Sequence, residues 1–216
     1  MRPLTDAMPK PLLKAAGRPL IDYHLAALAK ADIRHVVINV AWQKAQLLQH
    51  LGDGSAFGLQ CDISDEGDAA LETGGGIFRA LPKLGEHPFW VINGDVYAEF
   101  DFAQQSLAPG RLAHLLMVRN PAHNSTGDFA LQAGEIANQG AEMLTYSGLA
   151  ILHPDLFSGC EDGVFPLAPL LRRAADEGRV SGELLEGYWC DVGTPERLAA
   201  LSERLKNQAL DRPKSS

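Results

Sequence analysis

An α/β fold with a largely parallel sheet is predicted by two features of the sequence. Short apolar runs alternate with segments of helical period through the first half of the chain, the pattern of βαβ units covered by helices. One of those runs, Phe89-Trp90-Val91-Ile92, breaks off into Asn93-Gly94-Asp95, so polar groups emerge at a strand's carboxyl end, where open α/β sheets bind ligands. At 216 residues and 46% hydrophobic content the chain can bury one substantial core and is read as one domain.

The elements follow in order. Pro19 suits a first helical position, and Leu20, Ile21, Leu25 and Leu28 recur on one face through about Ala31. His35 to Val40 reads as a buried strand. A helix from about Gln43 to Leu51 stops at Gly52-Asp53-Gly54, where glycines permit positive φ. Leu59 to Ile63 is the next strand, Thr73 opens a helix through about Leu81, and Phe89 to Ile92 is the strand already noted. Beyond it the pattern is less regular. Ala113 to Val118, Phe129 to Leu131 and Leu144 to Ile151 read as strands, with helices from Ala168 to Glu177 and Pro195 to Leu205. Residues 208–216 read as a frayed tail.

Composition narrows the function classes. Nineteen basic against 27 acidic residues give a net charge of −8 without a basic run, which argues against a nucleic-acid partner. The apolar stretches are too short to span a bilayer and no signal pattern opens the chain, so a cytoplasmic protein with no membrane partner is expected. Cys61, Cys160 and Cys190 lack CxxC spacing and read as reduced core thiols. The seven histidines form no HxxxH pair, so carboxylate and phosphate oxygens suit a metal better than imidazole, which points to Mg²⁺.

Three clusters can carry chemistry, and each also has a plain structural reading. Lys10 lies between Pro9 and Pro11, which restrict the backbone on both sides and can aim one ammonium; a solvated loop lysine is the alternative. Glu72-Thr73-Gly74-Gly75-Gly76 sets small residues at a helix N-terminus, where a base or phosphate can approach; a flexible turn also explains the glycines. Neither a GxGxxG nor a GxxxxGK[ST] pattern is present, which leaves dehydrogenase and P-loop readings unsupported. Asp95 and Asp191 each end an apolar strand and, if adjacent, can hold Mg²⁺ while substrate phosphates complete its octahedron. As an alternative they are turn formers, and Thr194 as N-cap with Pro195 at the first helical position accounts structurally for the segment after Asp191. His24 falls beside an apolar helix face and reads as a core residue, while His123 and Asn124 read as solvated loop residues. Without a GxSxG elbow or a cysteine nucleophile motif, direct transfer is favoured over a covalent intermediate.

Taken in order, Met1-Arg2-Pro3-Leu4-Thr5, Pro9-Lys10-Pro11-Leu12, Leu71 to Gly76, Asn93-Gly94-Asp95 and Trp189 to Glu196 resemble the sugar-1-phosphate nucleotidyltransferases over essentially the whole chain. Leu71 to Gly76 and Gly127-Asp128-Phe129 are most similar to the N-acetylmuramic acid-1-phosphate uridylyltransferase subgroup. The resemblance implies a Rossmann-like, three-layer nucleotidyltransferase fold with a mixed, mainly parallel sheet over residues 1–207. It also implies that a nucleoside triphosphate, UTP in this subgroup, and a sugar 1-phosphate are the partners, with Mg²⁺ as cofactor. By the same resemblance Lys10 is the catalytic lysine, and Asp95 and Asp191 are the metal pair. Glu72, Thr73 and Gly74 contact the nucleobase, while Asn93, Gly127, Asp128 and Ser147 in Tyr146-Ser147-Gly148 face the sugar phosphate. A catalytically impaired binding domain and a mannose-1-phosphate guanylyltransferase-like enzyme are the alternatives.

Two segments depart from the family pattern. The glycine-rich LAAGxGxR loop and the strand leading into it precede the family position matched by Met1, so the expectation is a sheet lacking its first strand and a coding start upstream of Met1. Arg2 does not replace the loop's arginine. In place of the family's Glu-Lys-Pro segment stands Gly140-Ala141-Glu142.

Overall fold

The computed structural model describes residues 4–41, 44–67 and 70–211. Met1-Arg2-Pro3, the Gln43 start of the second predicted helix and residues 212–216 lie outside the described residues. A short helix α1 (Leu4–Ala7) and a 3-10 turn at Lys10–Leu12 lead into a hairpin of β1 (Lys14–Ala15) and β2 (Arg18–Pro19). Its two turn residues, Ala16 and Gly17, both have positive φ, as the tightest hairpin turn requires. There follow α2 (Leu20–Lys30), β3 (His35–Val40), α3 (Lys44–Leu51), β4 (Gln60–Asp65), α4 (Glu72–Leu84), β5 (Phe89–Ile92) and β6 (Val96–Ala98). The second half contributes β7 (Ala113–Val118), β8 (Phe129–Gln132), β9 (Glu135–Ala137), β10 (Met143–Leu152), α5 (Ala168–Asp176), β11 (Val180–Leu184), β12 (Trp189–Asp191) and α6 (Pro195–Asp211). None of the helices among the described residues is long and apolar enough to cross a membrane.

The sheet is mixed, as expected, but its antiparallel share exceeds the expected one. A six-stranded sheet runs β5-β10-β7-β11-β9-β8, and in it only β7 and β11 pair in parallel. β3 and β4 form a separate parallel pair, and β6 with β12 a short antiparallel one. The difference comes from β10, a ten-residue strand antiparallel to β5, β7 and β8. Its neighbours Leu115, Leu116 and Met117 and its own Leu149, Ala150 and Leu152 have no exposed surface, so this strand pair is the centre of the core. Leu171 and Ala174 of α5 pack on the same cluster.

β3 and β5 belong to different sheets, and both line one groove of about 660 Å³, walled by Ile21, His24 and Leu28 of α2 and by Ile77 and Ala80 of α4. β3, expected to be buried, is for this reason only half-buried over most of its length. Other differences are local. Pro19 precedes the first turn of α2 as its cap residue instead of occupying it. α6 continues through Asp211, so residues 208–211, read as tail, are helical; Leu201 is buried beside Leu13 and Val192, and Gln208 Nε2 donates to Glu99 at 2.8 Å. β6, β9 and β11 were not anticipated; β11 carries Ser181, Gly182 and Glu183 at its centre and lacks a β-branched run.

α4 explains the glycine triplet. Gly74, Gly75 and Gly76 are buried on its first turns, where a methyl group would meet the Phe165 ring, the Gly163 carbonyl and the Glu66 carboxylate. The Gly75 amide donates to the Phe165 carbonyl at 3.0 Å, so the loop around 163–165 docks directly on helical backbone. A Cβ at Gly75 would lie 2.1 Å from the Gly163 oxygen. Gly75→Ala should therefore cost about 2 kcal/mol, the scale of an overpacked interior site, measured as a lower midpoint in denaturant titration.

His24, read from sequence as a core residue, is buried beneath the groove with its Nε2 unpartnered. Burial pushes its pKa down to about 4, against the opposing pull of a Val96 backbone hydrogen bond and the Asp95 charge. The imidazole is neutral when folded and takes up a proton on unfolding, so its stabilising contribution is complete above the ordinary value of 6.5 and is lost as pH falls towards 4. Within that window unfolding free energy should fall by about 1.4 kcal/mol per pH unit more in the parent than in His24→Leu. Equal slopes in chemical denaturation at stepped pH would remove His24 from the account.

Candidate active site

The site begins with the proline-flanked lysine. Pro9 is extended and its carbonyl accepts the Leu12 amide at 2.9 Å, closing the turn that presents Lys10. Pro11 then packs beside Gly94, 3.5 Å from where a β-carbon at that position would lie. Lys10 Nζ thereby reaches Asp95 Oδ2 at 2.6 Å, across 85 residues of sequence. Both side chains keep partial exposure, 29% for Lys10 and 41% for Asp95, so the pair faces solvent instead of the core.

Asp191 reaches the same corner by strand pairing. The β6–β12 ladder sets Asp191 opposite Val96, and one step further the Val192 amide donates to the Asp95 carbonyl at 2.6 Å. The backbones of the two aspartates are thus neighbours although 96 positions separate Asp95 from Asp191. Their carboxylates hold different partners. Arg197 Nη1 donates to Asp191 Oδ1 at 2.5 Å, and His123 Nε2 lies 3.0 Å from Asp191 Oδ2. Neither residue was singled out from sequence for this role. His123 was read as solvated, and Arg197 carried no signal beyond its place in the first turn of α6, where Thr194 Oγ1 accepts its amide as the expected N-cap.

The donor set fits a hard cation. Two partly exposed carboxylates at adjacent strand ends offer oxygen ligands only, and no group of three or more His, Cys, Asp or Glu arranged for a metal occurs among the described residues. Mg²⁺ habitually takes one or two protein carboxylates and fills its shell with water and phosphate oxygens.

Glu72 and Thr73 line the groove between β3 and β5 together with Asn93, Gly94 and Pro11, so the expected base-contacting stretch shares a cavity wall with the Asn93-Gly94-Asp95 turn. Glu72 is exposed and has φ of 59°, a conformation that costs about 1 kcal/mol or more in a residue with a side chain. Gly74, in contrast, is buried against Phe165, which gives it a packing role.

The sugar-side residues cluster around a bulge in β10. Register with β7 shifts between Tyr146 and Ala150, Gly148 has φ of 82°, and its carbonyl accepts the Asn93 amide at 2.9 Å. Asn93 is therefore fixed against the bulge, with its side chain filling the space a Gly148 β-carbon would need. Ser147 is a correction to the expectation: it has no exposed surface and its hydroxyl accepts the Leu149 amide at 3.1 Å, so it shapes the bulge and presents no surface to a ligand. Its carbonyl accepts the indole N–H of Trp189 at 2.8 Å, tying the bulge to β12. Asp128 accepts from the Tyr146 amide at 2.8 Å and from Asn124 Nδ2 at 3.1 Å, while Gly127, with φ of 69°, lies against the backbone of Met143 and Leu144. Both residues dock the 119–128 loop on β10. All three cysteines are free, as read from their spacing.

The Nucleotidyl transferase family model matches residues 1–108. The chain is 47% identical over 207 residues to the N-acetylmuramate alpha-1-phosphate uridylyltransferase of Neisseria meningitidis serogroup B, covering 92% of this chain and 90% of that protein. It is 38% identical over 226 residues to the protein of the same name from Caulobacter vibrioides, covering 95% and 91%. A mannose-1-phosphate guanylyltransferase from Mycobacterium tuberculosis is 41% identical over 104 residues only, 48% of this chain and 29% of that protein. Among solved structures, UDP-glucose pyrophosphorylase complexed with UDP-glucose superposes with a TM-score of 0.72 at 18% identity, covering 96% of this chain and 94% of that one, which bears out the fold. By sequence over most of its length, and by fold, the chain belongs to the nucleotidyl transferase family and groups there with enzymes of sugar 1-phosphates.

Proposed function

We propose that this chain is a cytoplasmic enzyme transferring a uridylyl group from UTP to N-acetylmuramic acid 1-phosphate with release of pyrophosphate, its catalytic unit lying within residues 1–207. The carrying observation is the Lys10–Asp95 contact at 2.6 Å beside the ladder that holds Asp191. The two uridylyltransferase relatives, matched over at least nine-tenths of their length, support the choice of base and sugar.

In this reading an oxygen of the sugar 1-phosphate forms a bond to the α-phosphorus of UTP. The bond from that phosphorus to the β-phosphate oxygen breaks, and its electron pair leaves with pyrophosphate. The nucleophile is already anionic at neutral pH, so no general base is needed and the chain's task is alignment and charge neutralisation. Lys10 donates to the triphosphate oxygens in exchange for its bond to Asp95. Asp95 and Asp191 are the residues that would hold Mg²⁺, which when bound neutralises charge on the phosphates. Glu72 and Thr73 hold the base at the groove wall, with Gly74 setting their helix turn. Asn93 faces the sugar phosphate from the bulge, while Gly127 and Asp128 fix the adjoining loop and Ser147 acts through the bulge.

Pyrophosphate release measured with each combination of UTP or GTP and N-acetylmuramic acid, N-acetylglucosamine or mannose 1-phosphate tests the assignment. UTP with the muramic sugar should be the best pair by kcat/KM, and a better rate with GTP and mannose 1-phosphate would overturn the choice. Asp95→Asn and Lys10→Ala should each lower kcat/KM by about 100-fold or more, the scale of losing one preorganised charge at a transition state. Their folding, followed by thermal melts, should change little at these partly exposed positions. Excess EDTA should abolish turnover and added Mg²⁺ restore it; full activity in EDTA would remove the metal role of the aspartate pair.

A further inference from the structure

Each carboxylate of the proposed metal pair is bonded to its own cationic side chain: Lys10 on Asp95 and Arg197 on Asp191. Lys10 belongs to the mechanism above, but Arg197 does not yet. Its guanidinium, 29% exposed, sits 2.5 Å from Asp191 Oδ1 and 3.2 Å from His123 Nε2, joining α6, β12 and the 119–128 loop. Gly193 leaves room for it, since a β-carbon there would fall 2.2 Å from Nη2. The loop it touches continues through Asn124, which donates to Asp128 Oδ1 and Thr145 Oγ1 at 3.1 Å, so the guanidinium ties Asp191 to the loop that reaches the sugar-side cluster.

A carboxylate cannot give the same oxygen fully to a guanidinium and a divalent cation, because the two positive charges repel at that distance. The geometry points to Arg197 as a resident counter-ion: it occupies Asp191 until a metal arrives, and is then released towards the phosphate of the incoming sugar 1-phosphate. The arrangement does two things. It keeps Asp191 neutralised before a metal binds, and it delivers a second cation to the acceptor side only once the metal is in place. Arg197 would in this way match, on the acceptor side, the exchange that Lys10 makes on the triphosphate side.

The inference rests on the metal role of Asp191 given under the proposed function, and Mn²⁺ binding followed by electron paramagnetic resonance, with no substrate present, tests the two separately. Arg197→Gln should tighten Mn²⁺ binding about threefold or more relative to the parent, the scale of removing one competing partly exposed ion pair. Arg197→Lys, which retains the charge, should bind Mn²⁺ like the parent, and thermal melts identify any variant that fails to fold. At saturating Mn²⁺, calorimetry should show Arg197→Gln binding N-acetylmuramic acid 1-phosphate about tenfold more weakly than the parent, the loss of one charge-assisted contact. Unchanged or weakened Mn²⁺ binding in Arg197→Gln would show an orienting role instead and overturn the proposal. Tighter Mn²⁺ with unchanged sugar phosphate affinity would overturn the release towards the acceptor. No Mn²⁺ binding by the parent or either variant would overturn the metal assignment itself.

Discussion

Two aspartates whose backbones lie side by side are each paired with a cation from a distant part of the chain, and these two ion pairs organise the candidate site. The β6–β12 ladder forces the proximity, bonding Val192 to the carbonyl of Asp95. Each charge is then answered by a side chain from a different part of the chain: Lys10 from a 3-10 turn near the N-terminus and Arg197 from the start of the C-terminal helix. The site is in effect where the two ends of the described chain meet. The supporting contacts serve the same end. Pro9 and Pro11 stiffen the lysine's turn, Thr194 caps the helix that carries Arg197, and Leu13, Leu20, Val192 and Leu201 form the small apolar cluster beneath.

The core has a separate logic. β10, flanked on both sides, supplies a rigid central strand, and its one irregularity lies where the sugar-side residues gather. A bulge there turns Gly148 towards Asn93 and Trp189 towards Ser147, so the same distortion positions residues from β5 and β12. Across the molecule, α2 and α4 cover the interval between β3 and β5, with apolar side chains from both helices lining the groove. Of the α2 residues that line it, His24 is the polar one, and its burial favours the neutral imidazole.

Much of this was legible in the sequence where local chemistry decides local structure. α2, β3, α3, β5, β7 and β10 follow from apolar periodicity and from Gly52 and Gly54, because those residues both form the element and bury one side of it. Lys10, Asp95 and Asp191 stand out by proline flanks and strand ends, with their roles given only by the resemblance, and the fold brings the lysine onto Asp95 and the backbone of Asp191 beside it. What stayed hidden depends on contacts between distant segments. Gly74 to Gly76 read as an opening for a ligand, yet the loop at 163–165 fills that space. Ser147 read as a contact residue, yet its hydroxyl turns inward to Leu149. β11, with Ser181, Gly182 and Glu183, gains its strand character only by pairing with β7 and β9. His123 and Arg197 carry no motif at all, since their meeting at Asp191 is a product of the fold.

The bond from the Trp189 indole to the Ser147 carbonyl has a practical side. The ring stands on the strand that ends in Asp191 and hangs from the bulge that holds Asn93, so it senses both halves of the pocket through its own excited-state dipole. Trp90 packs edge-on against Phe100 and Phe102, on the same apolar cluster that Trp189 borders. The protein therefore carries a native fluorophore whose emission wavelength registers rearrangement of the bulge and its neighbouring strand, with no label attached.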